Sequence, residues 1–370
     1  MTPRQRLLTA LGGGTPDRIP VTLYEFSHFD DRRPADDANY TALRDMQRQL
    51  GECIVHVGVD IGTSMQDQNV VTQGSERFDE SQTSTATIAT PEGPLTTVLR
   101  RDAGNITWWR VKPWLESPED CRKWLSLQSQ QVDPDPTPIL QMQEKVGEQG
   151  LVWYGPGDAL GLICGMFHFD AFAMTLMEDE GLILEMLGVM SERINRGLKK
   201  LCAKVRNVGI RFWGPEYAGA PLLNPRKYFE KLVTRFDAEP IRIIKESGNF
   251  AIIHCHGNMA ELLDYLLDLA PTALEPLEVL PASTANVTMR QVKEKLGSKM
   301  CLMGGIQASE LELLQPDALA RRMREILNVA TPGGGFVMLP TSAPFEYPLR
   351  PEVVENYRVY FQAVHEASKA

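Results

Sequence analysis

The sequence predicts an α/β protein built as a (β/α)₈ TIM-like barrel with an inserted β-hairpin. Three observations carry that expectation. Short apolar runs alternate with amphipathic helical segments about eight times along the 370 residues, the pattern of a parallel sheet with right-handed crossovers. No Gly-x-Gly-x-x-Gly turn follows an early strand, as a doubly wound dinucleotide-binding sheet would require. Polar and aromatic side chains gather where the runs end, which is where a barrel carries its chemistry.

Taken in order, Pro3–Leu11 reads as a short amphipathic helix closed by Gly12-Gly13-Gly14. Residues 19–24 form the first apolar strand, and the polar stretch 27–40 a loop. A helix over 41–50 leads to a strand over 53–59 that ends at Asp60. Between 83 and 114 the rhythm changes. β-Branched residues alternate with polar ones around Pro91-Glu92-Gly93-Pro94, as in an antiparallel hairpin inserted on the barrel. Ser117-Pro118-Glu119-Asp120 opens a helix, with Ser at the cap and acids in the first turn. Strands then follow over 151–155, 210–214, 250–256, 273–280, 300–304 and 335–339, separated by helices over 171–205, 225–247, 259–269, 288–296 and 316–330. A last helix covers 352–367. Residues 1–370 are expected to form a single domain, since barrels with insertions run well beyond ~150 residues.

Composition narrows the function. A formal net charge of -10 offers no electrostatic footprint for nucleic acid or for an anionic membrane surface. No stretch approaches the ~20 apolar residues of a membrane span, and the first residues lack the apolar core of a signal peptide, so a cytoplasmic location is expected. The six cysteines are scattered and never form Cys-x-x-Cys. They indicate neither a disulfide framework nor a zinc ribbon, and most should be reduced and buried.

The strand ends supply Tyr24-Glu25, Asp60, Tyr154 with Asp158, Trp213 to Tyr217, His254-Cys255-His256, Glu275 and Glu278. Side chains two apart on a strand share a face, so His254 and His256 converge while Cys255 points the other way. A catalytic ion such as Zn²⁺ takes three protein ligands and keeps one position open. Glu278 completes the set with the two histidines, and Glu216 is a second carboxylate within the expected reach. Alternatively, the imidazoles hydrogen-bond within a polar core. Gly214-Pro215 stops its strand and presents Glu216 and Tyr217 at the rim, where Glu216 can serve as ligand or general base. Asp60 either orients substrate or caps residues 61–64. Tyr24, Tyr154, Phe167 and Trp213 are candidates for the wall of an apolar substrate pocket, with core packing as the alternative.

These residues bring a family into view. The opening MTPRQRLLTALGGGTPDRIPV, the strand end Ile253-His254-Cys255-His256-Gly257-Asn258, Met303-Gly304-Gly305-Ile306, Thr331-Pro332-Gly333-Gly334-Gly335-Phe336 and Pro351-Glu352-Val353-Val354-Glu355-Asn356 resemble the uroporphyrinogen decarboxylase superfamily over nearly the whole chain. The resemblance implies a distorted (β/α)₈ barrel. That superfamily includes both decarboxylases and zinc-dependent methyltransferases that exchange methyl groups with cobalamin. The decarboxylase branch carries an arginine-rich segment after its first strand and a histidine after its last. Residues 27–33 and Leu339-Pro340-Thr341-Ser342 do not match that pattern.

The methyltransferase branch, which is closer in style, binds zinc through His-x-Cys and a distant second Cys. Here His254 matches the first ligand, His256 replaces the first Cys, and Thr341 or Ser342 occupies the region of the second. Without thiolates the ion would be more Lewis acidic, which suits an ether or alcohol oxygen. The resemblance therefore implies a methyltransferase moving a methyl group between a small methylated substrate, such as an O-methyl ether, and the cobalamin of a corrinoid partner protein. A homodimer is compatible with this. A carboxy-lyase acting on a carboxylated substrate and a non-catalytic corrinoid- or tetrapyrrole-binding protein are the alternatives.

Overall fold

A computed structural model describes residues 1–29, 34, 36–64, 68–128 and 132–369. Along it run β1 Cys53–Val57, β2 Gln68–Gly74, β3 Gln82–Ile88, β4 Leu95–Arg101, β5 Trp109–Lys112, β6 Gly150–Tyr154, β7 Gly209–Phe212, β8 Phe250–His254, β9 Ala273–Leu277, β10 Cys301–Ile306 and β11 Phe336–Pro340. Seven of these form a curled parallel sheet in the order β1-β6-β7-β8-β9-β10-β11. Helices lie in every connection between them, as parallel pairing requires.

β6, β9 and β11 are buried along their whole length, which is why they read as continuous apolar runs rather than alternating ones. Alternate residues nevertheless divide between two layers. Ile54, Leu151, Trp153, Ile252, Ala273, Cys301, Met303, Val337 and Leu339 pack together on the inner face with Leu7, Ala10 and Leu11 of the helix Pro3–Leu11. Cys53, Val152, Ile210, Ile253, Leu274, Leu302 and Met338 face the surrounding helices. The N-terminal helix thus closes the end at which the strands begin. Gly14 O accepts from Gly335 N there at 3.0 Å. Arg6 anchors the helix by ion pairs to Asp17 and Glu52, both at 2.7 Å.

The structure corrects several expected elements. Residues 19–24 form no full strand: Val21 alone bridges Met338. Thr22 N donates to Met338 O at 3.0 Å, Met338 N to Pro20 O at 2.8 Å, and Glu52 N to Val21 O at 2.8 Å. Pro20 has no N–H to extend the ladder, and the Val21 N–H is taken by Glu52 Oε2 at 2.7 Å. The loop expected over 27–40 lies partly outside the described residues, at 30–33 and 35.

The hairpin expected over 83–114 is instead a four-stranded antiparallel sheet in the order β2-β3-β4-β5. β2, Gln-Asn-Val-Val-Thr-Gln-Gly, is too polar to announce itself. Ile88 and Leu95 seat this sheet in the main core, while Trp109 and Val111 face outward.

The helix expected over 171–205 is broken into Phe169–Glu178 and Glu180–Cys202. Asp179 leaves helical geometry and its side chain accepts from Leu182 N at 3.0 Å, capping the second piece. The helix expected over 225–247 contains a π turn, Glu230–Thr234, and an internal Pro240. Proline withdraws the donor that Phe236 O would otherwise receive, and Ser191 Oγ approaches that carbonyl at 3.4 Å. All six cysteines are buried free thiols. Among the described residues no helix is long and apolar enough to cross a membrane.

The next residue, Asp237, is 1% exposed, and neither carboxylate oxygen has a hydrogen-bond partner among the described residues. Burial therefore pushes its pKa well above the usual 3.8. An acid raised in this way contributes full stability below its unfolded pKa and loses it as pH rises through the folded one. Asparagine stays neutral. The Asp237→Asn variant should therefore show a flatter decline in urea midpoint between acid and alkaline pH, and at the alkaline end should exceed the wild type by about 1 kcal/mol or more. Parallel declines in the two proteins would refute this account.

Candidate metal centre

β8 ends at His254, not at residue 256. One further ladder bond, Cys255 N to Glu275 O at 2.7 Å, carries the chain out of the sheet. Gly257 then turns it with φ +81°, a left-handed value at which side chains other than those of glycine and asparagine are strained. His254 faces inward, on the same side as Ile252, and Cys255 faces the helix layer. The two imidazoles still approach: their ring centroids are 4.6 Å apart and the planes meet at 77°.

Glu216 arrives from the next loop. After β7 the chain enters a 3₁₀ turn, Gly214–Ala218, and Gly214 N donates to Asp158 Oδ2 at 2.6 Å. Asp158 Oδ1 also accepts from Gly161 N at 2.6 Å, so one fully buried carboxyl straps the loops after β6 and β7 together. A Cβ on residue 214 would lie 2.0 Å from Asp158 Oδ1, so only glycine fits. Glu216 Oε2 then stands 3.8 Å from His254 Nε2 and accepts from His256 N at 3.3 Å. One donor atom from each of Glu216, His254 and His256 lies within 4.8 Å of the others, close enough to share an ion.

Each ring is held from behind. His254 Nδ1 meets Glu275 Oε1 at 3.2 Å, and His256 Nδ1 meets Glu278 Oε1 at 2.8 Å. An ionised carboxylate only accepts, so for His256 this contact puts the ring proton on Nδ1 and leaves Nε2 with its lone pair, whereas His254 Nδ1 faces both the acceptor Glu275 Oε1 and, at 3.3 Å, the donor Arg211 Nη2. Glu278, expected among the ligands, therefore sits on the far nitrogen of His256, and its Oε2 accepts from Gly257 N at 2.9 Å. It holds the His256 ring, and the carboxylate grouped with the two imidazoles is that of Glu216. Burial alone would raise the Glu278 pKa, but its hydrogen bonds to His256 and Thr284 bring it down to about 2. Burial depresses the His254 pKa, with Glu275 opposing. For His256, burial is outweighed by Glu278, and the pKa rises.

Beneath the centre lies a group that the sequence reading missed. Arg211, 7% exposed on the inner face of β7, pairs through Nε with Glu275 Oε1 at 2.9 Å and through Nη1 with Glu25 Oε1 at 2.6 Å. Its Nη2 donates to Tyr24 OH at 2.6 Å. Burial opposes its charge, and Glu275, Tyr24 and Glu25 more than restore it, raising its pKa. Glu25 holds φ at +42° to reach this position, a local strain of the kind that collects at functional sites. The signal available in sequence was a lone charge inside the apolar run Gly209-Ile210-Arg211-Phe212.

The remaining candidates are distributed as follows. Tyr24 lies beside His254, ring centroids 6.0 Å apart. Tyr217 stacks on Phe169 at 6.2 Å and 15°. Trp213 packs over Gly157 and Gly161. Phe167 is buried against Phe172, and Tyr154 OH donates to Val59 O at 2.7 Å. Asp60 is exposed and accepts from Gly62 N and Ser64 Oγ, both at 2.8 Å, which is the capping arrangement. Of the expected residues, Glu216, His254, His256, Glu278 and Tyr24 are brought together; Asp60, Tyr154 and Phe167 are engaged elsewhere.

No family model and no curated protein matches the sequence. Among solved structures, a methyltransferase from Methanosarcina mazei is similar over 99% of both chains, with a TM-score of 0.61 at 16% identity. At that identity the likeness is one of fold, and it extends the α/β architecture to the whole chain. Xylanase B from Clostridium stercorarium F9 aligns over 56% of this chain and 71% of its own, at 10% identity and a TM-score of 0.32, too slight a likeness to argue from.

Proposed function

We propose that this chain is a zinc-dependent methyltransferase that moves a methyl group between a small O-methylated substrate and the cobalamin of a corrinoid partner protein. The observation that carries the reading is the convergence of Glu216, His254 and His256 within 4.8 Å, each imidazole backed by its own carboxylate. Two nitrogens and one carboxylate oxygen fit catalytic zinc, which takes three protein ligands and keeps a fourth position open. Carboxylates behind the rings fix their orientation and raise their basicity. When bound, zinc supplies Lewis acidity toward a substrate oxygen, undiminished by thiolate donation.

The chain's own residues do the rest. Glu216, His254 and His256 hold the ion, while Glu275 and Glu278 fix the two rings. Arg211 balances the charge of Glu275, and the stacked Phe169 and Tyr217 offer an apolar wall. Were a reduced corrinoid presented to this site, it would supply the electron pair for a methyl group that leaves without its bonding electrons, and the freed oxygen would be protonated. The full-length fold likeness to a methyltransferase supports the same reading. It also treats the Pro20–Thr22 segment, hydrogen-bonded to both Met338 and Glu52, as the eighth stave of a barrel.

Zinc content of the purified protein, before and after chelation and reloading, tests the centre, with transfer from anisole to cob(I)alamin followed by absorbance. Stoichiometric zinc and zinc-dependent methylation are expected. Absence of bound zinc on reloading, or methylation unchanged by chelator, would overturn the reading.

A further inference from the structure

Glu216 reaches the two imidazoles from a turn that rests on the segment following β6. Three of its neighbours in the chain make that contact. The Trp213 indole lies over Gly157 and Gly161, where an added Cβ would come within 2.7 Å and 2.6 Å of the ring. Gly214 N donates to Asp158 Oδ2 at 2.6 Å. Tyr217 stacks on Phe169 with ring centroids 6.2 Å apart. Glu216 itself turns to the end of β8: its Oε2 accepts from His256 N at 3.3 Å and stands 3.8 Å from His254 Nε2.

Asp158 is the polar part of this grip. It is fully buried, and each carboxylate oxygen accepts one backbone N–H at 2.6 Å, Oδ1 that of Gly161 and Oδ2 that of Gly214. The first bond caps the helix Ala159–Cys164; the second crosses to the turn that carries Glu216. A cap alone would be served equally well by Ser or Asn. The second bond is what calls for Asp, because an ionised carboxylate offers two acceptor oxygens and no donor. Whichever way an Asn amide were turned, its NH₂ would meet one of the two N–H groups, and a buried N–H left unsatisfied costs about 1–3 kcal/mol. Burial raises the Asp158 pKa, and its bonds to Gly161 N and Gly214 N oppose the rise.

We propose that Asp158 is a positioning residue for Glu216: by taking Gly161 N and Gly214 N at once, it fixes the turn from which the Glu216 carboxylate meets His254 and His256. It acts through that turn, without touching ion or substrate. Zinc affinity as a measure of this role rests on the preceding reading. The hold on Glu216 does not, since its contact with His256 N needs no ion.

Amide hydrogen exchange in the full-length, metal-free protein reads that contact, and competition with a chromophoric chelator reads zinc. Asp158→Asn should speed exchange at His256 N about ten-fold or more and leave Leu302 N, bonded to Gly335 O in the sheet, unchanged. Zinc affinity should fall about 10–100-fold, as for other supporting residues, yet Asp158→Asn/Glu216→Gln should bind zinc no more weakly than Glu216→Gln alone. A residue that only supported the fold would cost the same factor with or without Glu216. Gly161→Ala suits its helix but presses a methyl on Trp213; it should reproduce both effects in milder form. Unchanged His256 exchange in Asp158→Asn, or in Gly161→Ala if only that variant folds, would overturn the proposal, as would additive losses of zinc affinity. A wild type that binds no zinc would remove the metal reading, with His256 exchange still deciding this one.

Discussion

An Arg211→Met variant is expected to lose about 3–5 kcal/mol of stability, more than any surface substitution in this protein. The reason is not the value of the ion pairs themselves. Glu275 is 2% exposed, and its charge is tolerated because Arg211 Nε stands 2.9 Å away. Burial would otherwise push the Glu275 pKa up; with Arg211 and His254 alongside it stays below the usual value. Methionine fills a similar volume but leaves the buried Glu275 without its cation, while Glu25, about a third exposed, can still turn to solvent. Urea unfolding followed by circular dichroism reads the loss. An Arg211→Met/Glu275→Leu double variant, which removes both buried charges, should recover a large part of it. A single-variant loss below about 1 kcal/mol, the value of an exposed pair, would show that the network is solvated.

The second large effect concerns the proposed zinc site. If Glu216, His254 and His256 are its donors, Glu216→Gln and His256→Ala should each weaken zinc binding well beyond the effect of Glu278→Gln, which disturbs only the hydrogen bond that holds His256. For such a supporting partner the expected loss is about 10–100-fold. Competition with a chromophoric chelator measures all three. Glu278→Gln matching Glu216→Gln would return Glu278 to the ligand set and reverse the assignment made from the geometry.

That assignment marks the boundary of what could be read without coordinates. The strand and helix sequence was legible because strands buried on both faces are continuous apolar runs; residues 151–155 were expected and β6 occupies Gly150–Tyr154. The same signal over-read residues 19–24, since hydrophobicity does not register that Pro20 lacks a donor and that Glu52 takes the N–H of Val21. In the site, His254 and His256 stood out by spacing, although the second lies beyond the strand that was meant to align it. Sequence could bring Glu278 near His256 but could not say which imidazole nitrogen it meets. Arg211 was overlooked because a single charge in a short apolar run looks like noise until its partners Tyr24, Glu25 and Glu275 arrive from distant segments.

The helix Pro3–Leu11, with Leu7, Ala10 and Leu11 pressed into the inner layer, plugs the floor of the sheet. On the proposed reading a small reactant would therefore come and go from the opposite end, where Glu216 and His254 stand, and a bulky partner seated there would have to leave before the next reactant could enter.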